Sequence, residues 1–101
     1  MAISAEDARR LALELPGAVE QDHHGKPSFR VHKKIFATLW SGEQMNVMLD
    51  EGGILTAVEA SPACTPVHWG KRLAAVGVAL PEVERDELAQ LLLEAWELRA
   101  S

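Results

Sequence analysis

The sequence predicts a two-layer α+β fold, an antiparallel sheet with helices packed on one face. Three observations lead there. Both ends carry apolar residues at helical spacing, Ile3, Ala8, Leu11, Ala12 and Leu15 at the start and Leu88, Leu91, Leu92, Ala95 and Trp96 near the end. Between them, short strand-like runs follow one another with tight turns, the pattern of an antiparallel meander. A strand run and a helix then close the chain, so the helices gather on one side of the sheet. The chain has 101 residues, one domain's worth, and residues 1–101 are read as a single domain.

Each element has its own signal. A first helix is expected over residues 4–15, with Ser4 as its cap, Asp7 at the third helical position and Pro16-Gly17 as its stop. Val19 to Asp22 reads as a first strand. In Ser28 to His32, Phe29 and Val31 point one way and Ser28, Arg30 and His32 the other. In Ile35 to Trp40, strict alternation puts Ile35, Ala37 and Leu39 on one face and Phe36, Thr38 and Trp40 on the other, which marks a central strand. His32-Lys33-Lys34 joins these runs as a tight hairpin without the Asn-Gly a two-residue turn favours. Ser41-Gly42-Glu43-Gln44 makes the next turn, and Met45 to Leu49 the next strand.

Residues 51–61 fit a helix capped by Asp50 or a strand. Pro62 and Pro66 bracket a predicted loop that holds Cys64. Leu73 to Leu80 reads as a buried strand ended by Pro81, and a last helix is expected over residues 85–100.

Charge narrows the function classes. Ten Lys and Arg face fifteen Asp and Glu, a net charge of −5, which opposes nucleic-acid binding over the whole surface. The distribution is uneven: residues 23–42 carry Lys26, Arg30, Lys33, Lys34 and three histidines with no acid, whereas both ends are acidic. One cysteine, Cys64, excludes an internal disulfide and any paired-Cys motif, and fits a reducing compartment. No apolar leader or membrane-length run is present, so a cytoplasmic protein without a membrane partner is expected.

The segments Leu15-Pro16-Gly17-Ala18-Val19-Glu20, His24-Gly25-Lys26-Pro27-Ser28-Phe29-Arg30-Val31 and Lys34-Ile35-Phe36-Ala37 resemble the signature of the MmcQ/YjbR family. Pro66-Val67-His68-Trp69-Gly70-Lys71 is similar to its second loop, and Asp86-Glu87-Leu88, Leu92 and Glu94-Ala95-Trp96 to its last helix. The resemblance implies a CyaY-like (frataxin-type) fold and a helix over residues 51–61. It also implies DNA binding by a "double-wing" pair of hairpins, a role argued in that family from shape.

The candidate site residues follow from this charge pattern. Lys26, Arg30, Lys33, Lys34, Lys71 and Arg72 are the expected phosphate contacts, with Trp69 as a stacking platform for a base, in non-sequence-specific nucleic-acid binding. The plain alternative is a solvated charged edge that blocks strand aggregation. A rival role is a protein-interaction or small-ligand module with a pocket near Trp40 and Trp69. Trp40 is expected in the core or at a pocket rim, Trp69 as a stacking platform or a plug at one end of the core, and Trp96 in the core.

Catalysis is not expected. Cys64 and His68 are four residues apart but lack a third group to orient them. No cofactor is called for. His23 and His24 would point to opposite faces of a strand, and only chance proximity of His24, His32 and His68 would make a metal site. Glu6, Asp7, Glu14, Glu20 and Asp22 invite comparison with the iron-meeting acidic ridge of frataxin-like proteins, but Arg9 and Arg10 interrupt them. A monomer is the default.

Overall fold

A computed structural model describes residues 3–101. Helix α1 spans Ala5–Leu13, and Ser4 Oγ accepts the Asp7 amide at 3.0 Å. Strands β1 (Val19–His23), β2 (Lys26–Val31), β3 (Lys34–Ser41) and β4 (Gln44–Val47) follow as a meander. Helix α2 (Glu51–Ala60) starts where Asp50 Oδ1 accepts the Gly53 amide at 2.8 Å, so the ambiguous segment is helical. Strands β5 (Cys64–Trp69) and β6 (Arg72–Ala79) and helix α3 (Arg85–Ala100) complete the chain.

All six strands form one antiparallel sheet in the order β1-β2-β3-β4-β6-β5. One face, through Phe29, Val31, Phe36, Ala37, Leu39, Met45, Val47, Val76 and Val78, joins the core with Ile54, Leu88, Leu91 and Leu92 of the helices. Helices α1 and α3 lie over β2, β3 and β4, and α2 over β5 and β6. This is the expected α+β two-layer arrangement. Trp96 packs against the core half-buried rather than inside it, and its Nε1 donates to the Pro16 carbonyl at 2.8 Å.

Two expectations need correction. The loop expected between Pro62 and Pro66 is a turn at Pro62-Ala63 only; Cys64 begins edge strand β5, where a residue without an N–H such as Pro66 is tolerated. Strict alternation also fails in β3. Phe29 pairs with Ala37 and Arg30 with Ile35, so Phe36 has no partner and forms a bulge. Phe36 therefore lies in the core beside Ala37, and Ile35 turns to the open face with Thr38 and Trp40.

The hairpin turns are two residues long. His24-Gly25 and His32-Lys33 are both left-handed, with φ of 54 and 83° in the first and 51 and 67° in the second. Type I′ turns need positive φ at both positions, and they match the twist of the sheet. Among the described residues, three that are not glycine hold this geometry.

A basic groove on the open face of the sheet

The face of the sheet away from the helices carries a groove of about 740 Å³. Its floor carries Thr38 and Asn46, paired across β3 and β4 and each less than a tenth exposed, with the fully buried Ser28 next in the same row. Ile35 and Met48 add an apolar patch. Trp40 and Trp69 stand on its walls, 51% and 53% exposed. The Lys26 ammonium lies 4.7 Å from the Trp40 ring centre and the Arg72 guanidinium 5.7 Å from that of Trp69. Lys26 faces Trp40 because Ser28 pairs with Thr38, two residues along from each.

Half of the chain's Lys and Arg line this groove: Lys26, Arg30, Lys33, Arg72 and Arg99. His23 and His24 join them, and no carboxylate does. Arg30 Nε donates to Ser28 Oγ at 3.2 Å and Arg99 Nε to the Ile35 carbonyl at 3.1 Å, so both guanidinium groups are anchored. Three other arginines are paired on the far side: Arg9 with Glu6 and Glu20, Arg10 with Asp7, and Arg85 with Asp7. The acidic excess of the chain thus sits away from a positive groove, where low-dielectric walls concentrate the field.

The sequence-derived footprint divides. Lys26, Arg30, Lys33, Trp69 and Arg72 line the groove; Lys34 and Lys71 are exposed outside it. The His32-Lys33 and Gly70-Lys71 turns do lie at one end of the sheet. Strands β3 and β6 both run antiparallel to β4, so the turns that precede them share an end, about 10 Å apart across β4. Lys26 comes from the opposite end. Trp69 closes no part of the core, and Trp40 is a wall of the groove. Sequence reasoning missed Asn46, Met48 and Arg99. Asn46, a polar residue inside the apolar run Met45 to Leu49, was the available signal.

The histidines also differ from expectation. Positive φ at His24 turns its ring back, so both imidazoles line the groove, 4.5 Å apart and edge to face. His24 and His32 sit in turns at opposite ends of the sheet, and among the described residues no group of His, Cys, Asp or Glu could hold a metal ion. Cys64 and His68 are separated by about 13 Å of extended strand, beyond hydrogen-bond reach. Burial pushes the Cys64 thiol above its ordinary pKa, against the direction a nucleophile needs. Among the described residues no helix is long and apolar enough to cross a membrane.

No curated protein and no solved structure matches the chain. A family model described as YjbR matches residues 13–98, a span that runs from the end of α1 through every strand to α3 and includes almost every groove residue. By that match, with the two-layer sheet beneath it, the chain belongs to the YjbR family.

Proposed function

We propose that this protein binds single-stranded nucleic acid in the open-face groove, without catalysis and without strong dependence on sequence. The observation that carries the reading is the lining: five Lys and Arg, two half-exposed tryptophans and no carboxylate, in a chain of net charge −5. Cations neutralise phosphates, and exposed indole rings stack bases of any identity. Length supports a strand over a single nucleotide. Trp40 and Trp69 lie three strands and several residues apart, roughly 20 Å from strand and residue spacings. A duplex would meet the exposed turns but could not lay its stacked bases on the indoles.

A second reading, a small flat anion, is favoured by the groove being one hollow in the size range of ligand pockets. Fluorescence anisotropy separates the two. Labelled oligothymidylates of increasing length, a labelled duplex and competing thymidine monophosphate are titrated at low and at physiological salt. The nucleic-acid reading expects affinity to grow with length and the single strand to be preferred. It expects log K to fall with log salt at about −0.7 for each of up to five contacts. Full competition by the mononucleotide at its own modest concentration would favour the small anion. Flat curves with every nucleic acid would overturn the proposal.

A further inference from the structure

We infer that Asn46, held by Gln44, reads the base of a bound strand and selects pyrimidines with a carbonyl oxygen at ring position 4, thymine or uracil, over cytosine, which has an amino group there. The inference rests on the nucleic-acid reading above and deepens it. Asn46 is 4% exposed and lies on the groove floor, paired across the strands with Thr38. Gln44 Nε2 donates to Asn46 Oδ1 at 2.8 Å. That bond fixes the carboxamide, with its oxygen toward Gln44 and its NH₂ group elsewhere. The NH₂ group has no acceptor among the described residues, yet no buried side-chain nitrogen or oxygen there lacks a partner. It therefore opens to solvent in the groove.

The neighbours sharpen the preference. Ser28 Oγ is used on both sides, donating to the Gln21 carbonyl at 2.8 Å and accepting from Arg30. The five cations are donors only. Side-chain acceptors on the lining are Asn46 Oδ1, already bonded to Gln44, the Thr38 hydroxyl and the imidazoles at the β1 end. A base lying over Asn46 thus meets the NH₂ donor directly, with the Thr38 hydroxyl beside it able to donate as well as accept. Thymine O4 accepts from that NH₂ group; the N4 amino group of cytosine, in the same ring position, faces donor with donor and loses its water. Comparing two pyrimidines removes the differences in stacking and flexibility that separate purines from pyrimidines.

The test measures anisotropy of oligothymidylate and oligocytidylate of equal length at neutral pH and fixed low salt. Wild-type protein is expected to prefer oligothymidylate by about fivefold, the equivalent of one hydrogen bond. Asn46→Ala and Gln44→Ala are each expected to bring the ratio close to one, the first by removing the donor and the second by freeing the carboxamide to turn. The ratio does not depend on the fraction of protein folded, so a destabilised variant still gives an answer, and Gln44 is only half-buried. Equal, salt-dependent binding of both oligomers by the wild type would overturn base selection and leave the nucleic-acid reading standing. A preference that survives Asn46→Ala would overturn the role of Asn46. Binding of neither oligomer would overturn both.

Discussion

Lys33→Gly is expected to make the protein more stable and a weaker binder at once. Lys33 sits at φ 67° in the second position of a type I′ turn. An L-residue held left-handed costs roughly 1–2 kcal/mol, and the freer unfolded chain that glycine brings takes back roughly 0.5–1 kcal/mol. The balance is a gain of about 0.5–1 kcal/mol, or a rise in Tm of about 3–6 °C for a chain of this size. Lys71, also exposed and in the neighbouring turn at the same end of the sheet, has no positive φ. Lys71→Gly therefore has only the entropic cost and is expected to lower stability by about 0.5–1 kcal/mol. Thermal and urea unfolding of the two variants, side by side, give opposite signs if the argument holds. A loss of stability in Lys33→Gly, or equal shifts in both, would refute it. The strained lysine is also a groove cation, so the same variant should flatten the salt slope of strand binding by about 0.7, while Lys71→Gly leaves it unchanged. Strain kept at functional positions is a recognised pattern, and here it is read from an observed φ at a residue that lines the groove.

The remaining predictions concern the core, the floor and the footprint. Gly77→Ala would place a Cβ 2.8 Å from Gln44 Nε2, 3.1 Å from Val67 Cγ2 and 3.2 Å from Thr65 Oγ1, so a loss of roughly 1–3 kcal/mol is expected in urea unfolding. Trp96→Phe removes the indole bond to the Pro16 carbonyl and should cost about 1 kcal/mol in the same assay, more if the carbonyl finds no water. Burial raises the Cys64 pKa above its ordinary 9.0, so the folded state resists ionisation. Stability from this thiol is complete below the unfolded pKa and is lost as pH rises past it. Cys64→Ala should therefore flatten the fall of Tm at alkaline pH. Lys34→Gln should leave the salt slope intact, whereas Arg72→Gln should reduce it by about 0.7, since only Arg72 lines the groove.

Much of the fold was legible because local signals agreed with the final packing. The Ser4 cap, the Pro16-Gly17 stop and the 3.6-residue stripe of α3 each have one cheap local solution. Period-2 reasoning failed where the backbone broke the period. The bulge at Phe36 moves it and Ile35 to the opposite faces from those strict alternation assigns, and no residue in Ile35-Phe36-Ala37 announces it. Strand β5 was hidden by Pro66, which is excluded from central strands but not from an edge. For the site, the sequence showed the basic segment around Lys26 to Lys34. It could not show that Arg72 of β6 and Arg99 of α3 come to the same groove, because that depends on β6 pairing with β4 and on Arg99 reaching the Ile35 carbonyl of β3. Nor could it show that Arg9, Arg10 and Arg85 are paired with carboxylates elsewhere, which turns an acidic chain into one with a purely basic groove.

The central claim is that a single strand lies in the groove between Trp40 and Trp69. The chain supplies its own control, since its third tryptophan, Trp96, is on α3 with its Nε1 bonded to the Pro16 carbonyl. The direct measurement is a ¹⁵N–¹H spectrum of the three indole Nε1–H groups during titration with oligothymidylate. The account predicts that the Trp40 and Trp69 signals move together along one saturating curve and that the Trp96 signal stays in place. Unmoved Trp40 and Trp69 signals at saturating oligomer, or a shift led by Trp96 and the helix amides, would contradict it.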